Sequence, residues 1–368
     1  VPAQPTMQKQ LTLLQYIFLI HGTQVAVGVL SLPRQLAEGA GTDGWIALFF
    51  GWGASIIASL LIISAMKPYP GSHLPDVMGL FFGQWGKKLG VIVSGVYFTT
   101  FAFIMLVKTV LYIKNWMLQE TSQFVIMSLL LLPAIFIVPG GFKVLGRYTE
   151  LVYFLKIMVI VILIFPLIDG HFINLLPVLK EGWGPVLKTV NSTVLSFLGF
   201  EVAYFCYPAL TTKQYAVRGI LIANTLTLFL YLFVTIVCFV HFSPDEITQY
   251  NDPPLTVLKT IELRYVERFD VITLAFYLFV LATSWMPFMY IGVYCTGMLT
   301  GKQKPSGYFV GAIVCFVLVT FFLNPSFENN DQLVKFISYF GLCFAYALPV
   351  FLWAYSRVHQ RMKRRSSA

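Results

Sequence analysis

Ten apolar runs of roughly bilayer-crossing length dominate this sequence and leave few ways for it to fold. They run roughly over Leu11–Leu36, Trp45–Met66, Leu89–Ile113, Phe124–Val138, Thr149–Ile168, Val190–Tyr207, Ile220–His241, Val271–Leu299, Tyr308–Leu323 and Leu333–Arg357. A spanning helix needs about 20 predominantly apolar residues. Only 11% of the 368 residues are charged, against 58% hydrophobic. A soluble domain carries about 25% charged residues to clothe its core, so lipid must solvate the exterior here. The expectation is an all-α integral membrane protein with about ten transmembrane helices, forming one domain over residues 7–368. Val1–Thr6 precede Met7 and read as a remnant outside that domain.

Two connections are too polar to span. Asp169–Lys188 is rich in Pro and Gly, and Phe242–Asp270 contains Pro254–Arg268, whose apolar residues at helical spacing predict a surface helix. Charge sets the orientation. With the N-terminus inside, the cytoplasmic segments hold 15 cations and two anions, whereas the outer segments hold eight cations and 13 of the 16 acidic residues. This is the positive-inside pattern, and it predicts that both termini are cytoplasmic.

The net charge of +9 is thus spent on topology. The terminal basic run Arg361–Arg365 reads as an anchor to lipid headgroups rather than a nucleic-acid patch. Five cysteines, all within apolar stretches and without a CxxC pair, support neither a disulfide framework nor a zinc site. No GxSxG, HExxH or Walker loop occurs, so the sequence nominates no catalytic group, cofactor or metal.

Chemistry is expected instead where spans break. The first span reads HGTQVAVGVLSLP and the sixth SFLGFEVAYFCYP, each with a Gly mid-span, polar residues beside it and a Pro near its end. An even span count with such interruptions at matching places suggests two inverted five-span repeats, roughly 11–168 and 190–357, meeting at the midplane. A break survives in lipid only where protein walls satisfy its backbone, and there a half-helix N-terminus favours a carboxylate while freed carbonyls favour an ammonium. The alternative is that Gly28 and Gly199 only let helices pack closely. Glu201, the one acid deep in a span, reads either as a pathway group or as a protonated tether between helices. Lys156 lies too deep to snorkel and is expected to point inward, paired or neutral. Lys108 snorkels to the outer edge, and His21 reads as a packed polar residue.

These strings also carry a resemblance. FLGFEVA resembles the F-x-G-x-E signature of amino acid/polyamine/organocation transporters, and GVLSLP resembles that superfamily's G-[VIL]-x-x-x-P. With LPRQLAEGAGTDGWI, YPGSHLPDV, GRYTEL and LLPVLKEGWGPVL, the chain is similar more specifically to spore germinant-receptor B subunits, the GerAB-type endospore germination proteins, from Gln10 to Arg361. The resemblance implies a LeuT-like fold of five plus five inverted spans with broken helices 1 and 6. It implies a small germinant, an amino acid or a sugar, bound beside A and C partner subunits in the spore inner membrane. The ligand would meet Thr23, Gln24, Ala26, Val27 and Gly28 of span 1 and Leu198, Gly199 and Glu201 of span 6. Tyr97, Phe101, Thr283 and Ser284 would form the walls. Lys156 would stand where other transporters of this fold hold a cation, met by carbonyls of the span-1 break and by the Thr283 and Ser284 hydroxyls. The sequence departs from the superfamily at Ala26-Val27-Gly28, where Gly-x-Gly is usual. The same pocket would also serve a proton-coupled amino acid transporter.

Overall fold

The computed structural model describes residues 11–25, 28–261, 268–301 and 306–366, with backbone alone at 306 and 359–366. Within them the chain is helical, save for connections and one isolated β-bridge.

The first span is interrupted. α1 (Leu13–Gln24) starts at a reciprocal cap in which Thr12 Oγ1 accepts from the Gln15 N–H at 3.2 Å and Gln15 Oε1 accepts from the Thr12 N–H at 3.3 Å. Two of the orphan donors at the helix start are met in this way. α2 (Gly28–Ala40) resumes after the break. α3 (Gly44–Met66) is the second span. α4 (Leu74–Trp116) is far longer than the expected Leu89–Ile113, because the YPGSHLPDV stretch begins a helix rather than a loop. Pro75 in its first turn removes an N–H that has no helical acceptor anyway. The kink at Gly83 (φ 69°) separates this amphipathic lead, clasped by Lys87–Asp76 at 2.8 Å, from the span proper.

α5 (Gln123–Ile137), α6 (Gly141–Ile162) and the single turn α7 (Phe165–Ile168) complete the first half. The sixth span divides into α8 (Trp183–Ser196) and the short α9 (Ala203–Cys206). It begins seven residues before the expected Val190, because Trp183–Thr189 is already helical. α10 (Ala216–His241) follows, then the surface helix α11 (Pro253–Lys259). The expected remainder of that surface helix, including Leu263, lies outside the described residues. α12 (Phe269–Thr300) and α13 (Ser306–Leu323) are continuous. α14 (Phe327–Leu342) runs through one π-turn at Cys343–Ala347 into α15 (Leu348–Ser366).

Six uninterrupted helical stretches among the described residues are long and apolar enough to cross a membrane, and Gly307–Leu323 adds a shorter apolar helix. Among the six, Gly28–Met66 joins α2 and α3 and Gln123–Ile168 joins α5 to α7, while the breaks leave α1 and α8 too short to count. α1 lies at the centre, packed on α6, α10 and α12, while α4 and α12 form the longest helix pair. Gly292 permits this pair its closeness: a Cβ there would sit 2.2 Å from Thr99 Oγ1. The beginning of span 1 and the end of span 6 are tied by backbone, Leu11 N–H to Ala209 O at 3.1 Å and Thr211 N–H to Leu11 O at 3.0 Å. These two bonds hold the start of span 1 beside the end of span 6.

Candidate functional site

Both expected breaks exist, and they face each other. α1 ends at Gln24, and Val25 leaves helical geometry at φ −79°, ψ 69°. Ala26 and Val27 lie outside the described residues. In span 6 the helix stops at Ser196, and Gly199 takes φ 124° before a 3₁₀ turn over Phe200–Val202. That φ belongs to glycine, and space demands glycine as well: a Cβ at 199 would lie 2.6 Å from the Thr23 carbonyl oxygen. Thr23 Oγ1 stands 3.0 Å from the Gly199 carbonyl and 2.8 Å from that of Ile20, so its hydroxyl links the two breaks.

Glu201 closes the span-6 break. It is fully buried. One carboxylate oxygen accepts from the Tyr97 hydroxyl of α4 at 2.7 Å, and the other from the Gly199 N–H at 2.7 Å. Tyr97 packs in turn on Phe101, with ring centroids 5.7 Å apart, and Phe101 on Phe288 of α12 at 4.8 Å. Tyr97, Phe101 and Glu201 therefore do meet at the breaks. Leu198 is buried here too, with Gly341 of α14 against its methyls. Gly28 opens α2, half-buried and with no described atom within 4 Å of where its Cβ would be.

A third element binds the breaks together, and the sequence reading passed over it. Asn224, Thr227 and Tyr231 recur along one face of α10. Gln24 Nε2 donates to the Phe197 carbonyl at 3.0 Å and to Asn224 Oδ1 at 2.8 Å. Asn224 Nδ2 reaches Ser59 of α3 at 3.1 Å. Thr227 Oγ1 lies 2.9 Å from Gln24 Oε1 and 2.9 Å from Nδ1 of His21. The Tyr231 hydroxyl shares its proton between the Gln24 carbonyl at 2.7 Å and the Ser196 carbonyl at 2.9 Å, which end the two half-helices. The signal was present as polar residues at i, i+3 and i+7 in a mostly apolar span, the spacing of one helix face.

The expected surroundings of Lys156 are corrected by the geometry. Thr283 Oγ1 lies 2.6 Å from the Val280 carbonyl and 3.3 Å from that of Gly22, and Ser284 Oγ 2.6 Å from that of Leu281. Both hydroxyls serve backbone carbonyls instead of the lysine, because a buried hydroxyl on a helix finds its nearest acceptor three or four residues back. Thr283 still flanks the span-1 break. Lys156 does point inward, 4% exposed, and no carboxylate lies within 4 Å of it among the described residues. It lines a small, apolar, partly open cleft walled by Leu30, Leu230, Leu255 and Tyr277 beneath α11. That cleft lies beside the breaks, not between them.

One rim of the bundle is tied across helices. Tyr112 donates to Asp252 Oδ1 at 2.8 Å, Lys108 pairs with Asp331 at 2.6 Å, and Arg34 joins Glu38 at 2.6 Å and Asn251. Burial raises the Asp252 carboxyl from its ordinary value, partly offset by the Tyr112 hydrogen bond. Near the other rim His73 is buried between the rings of Phe205 and Tyr294, and burial lowers it to about 4. Among the described residues no group of three or more His, Cys, Asp or Glu side chains could hold a metal ion.

Comparison with known proteins agrees with this architecture. MhsT, solved in complex with L-phenylalanine, superposes with a TM-score of 0.66 over 93% of this chain and 88% of its own, at 12% identity. The fold is accordingly LeuT-like. Spore germination protein GerQB of Bacillus cereus is 25% identical over 98% of this chain and 99% of its own length. Spore germination protein A2 of Bacillus subtilis is 24% identical over 94% of each. The family model described as spore germination protein matches residues 10–333, and this chain belongs to that family.

Proposed function

We propose that this chain is the B subunit of a nutrient-germinant receptor in the spore inner membrane. It binds a small germinant, an amino acid or a sugar, at the midplane and works beside A and C subunits to trigger germination. The observation that carries this reading is the pair of facing breaks, whose polar groups are drawn from α1, α4, α8, α10 and α12. So many buried polar groups facing one another are costly in lipid, which favours a site over packing alone. The ligand would separate the contacts that now join Thr23 to Gly199 and Gln24 to Phe197, and would then meet Gly28, Leu198 and Glu201. Tyr97, Phe101, Thr283 and Ser284 flank it. Lys156, buried beside the span-1 break without a carboxylate partner, occupies the place of a cation there.

The two halves, 11–168 and 190–357, act as inverted repeats, and both termini face the cytoplasm. A cysteine placed at Ser243 is then labelled from outside only; labelling from the cytoplasmic side alone rejects the orientation. Purified protein in liposomes tests the function. A receptor subunit binds its germinant without moving it, whereas uptake driven by a pH gradient identifies a proton-coupled amino acid transporter.

A further inference from the structure

The way Glu201 is held bears on what the site can hold. Its two oxygens each accept one hydrogen bond, from Tyr97 and from the Gly199 N–H, both at 2.7 Å. A carboxyl group accepts through either oxygen, and here each oxygen faces one donor. A hydroxyl from a neighbouring span and an N–H freed at a break are the donors that an incoming ligand carboxylate would need. Here a side chain of the protein already occupies both.

We propose, building on the midplane reading above, that Glu201 is a built-in surrogate for a ligand carboxylate, and that the site accordingly takes a protonated amine, held by its ammonium rather than by any carboxylate. Among the described residues no lysine or arginine pairs with Glu201, so a ligand carboxylate set beside it would find no cation to receive it. The walls suit a cation. Phe344 stacks on Tyr97 at 4.7 Å and lies 5.9 Å from the ring of Tyr204, and aromatic faces attract ammonium groups. The Tyr204 hydroxyl is buried and has no hydrogen-bond partner, which leaves an oxygen free to accept an N–H. Glu201 itself keeps unused lone pairs for the same purpose.

The test uses the purified full-length protein and, for each of the twenty amino acids, three probes: the free acid, its carboxamide and its N-acetyl derivative. Where a free amino acid binds, its carboxamide is expected to bind within about threefold, and its N-acetyl derivative about tenfold or more weakly, as a site built around one polar group demands. Glu201→Ala should bare the Tyr97 and Gly199 donors, so acetate, but not chloride, raises its melting temperature saturably and leaves the wild type unmoved. Glu201→Gln, which keeps the stem and one acceptor, guards against misfolding of the alanine variant and should lose carboxamide binding. N-acetyl derivatives binding like their parents while carboxamides fail would overturn the proposal, as would a folded Glu201→Ala indifferent to acetate. If no probe binds the wild type yet acetate stabilises Glu201→Ala, the surrogate role stands and the amino acid germinant falls.

Discussion

Replacing Gly199 with alanine probes the contact between the two broken spans most directly. Two costs add. A residue with a Cβ at φ 124° is held in a sparsely populated region, at about 1–3 kcal/mol. The new methyl would also lie 2.6 Å from the Thr23 carbonyl oxygen and 2.8 Å from the Gln24 nitrogen, both backbone atoms that cannot swing aside. Overpacking of this kind costs a further 1–3 kcal/mol or so. Gly199→Ala is therefore expected to destabilise the protein by roughly 2–6 kcal/mol. Gly53→Ala is the control, since no described atom stands within 4 Å of its Cβ position in the middle of α3. There the change should be neutral or stabilising by about 0.5–1 kcal/mol, the ordinary helix preference of Ala over Gly. Thermal unfolding of both purified variants, with size-exclusion chromatography to exclude aggregation, decides the matter. If Gly199→Ala melts with the wild type, the breaks do not meet as described.

Other perturbations separate the remaining contacts. Tyr231→Phe leaves the Gln24 and Ser196 carbonyls without their shared donor and should cost about 1–3 kcal/mol in the same assay; an unchanged melting temperature would remove α10 from the closure. His73 is lowered from 6.5 to about 4, so it stays neutral in the folded protein while the unfolded chain protonates. Stability present above pH 6.5 should thus fall as the pH drops towards 4, by roughly 3 kcal/mol at most, and His73→Gln should flatten that decline. Lys108→Ala breaks an ion pair whose aspartate is 55% exposed, so a loss below about 1 kcal/mol is expected; a larger loss would show that the rim holds the bundle shut.

The helical architecture was legible in the apolar runs because lipid imposes a local rule. Every spanning segment must satisfy its own backbone, so length and apolarity alone mark it. The same rule made the breaks visible, since a Gly with polar neighbours inside such a run has to be answered by something. Glu201 and Lys156 stood out for the cost of a charge in that setting. The start of α4 at Leu74 was hidden because its lead is amphipathic and lies outside any apolar run.

Which side chain meets which was decided by tertiary structure. Tyr97 and Glu201 are 104 residues apart, and Gln24 and Asn224 are 200 apart. Such pairs depend on how each helix is rotated about its axis, and spans that are apolar all round carry little periodic trace of that rotation. The hydroxyls of Thr283 and Ser284 were assigned to Lys156 from the family resemblance, but helix rotation gave them to backbone carbonyls and turned the lysine towards a cleft of its own. The sequence thus determined where the chain spans and where it breaks, because those depend on contacts within a segment. The partners at the breaks depend on contacts between segments, which only the packed bundle specifies.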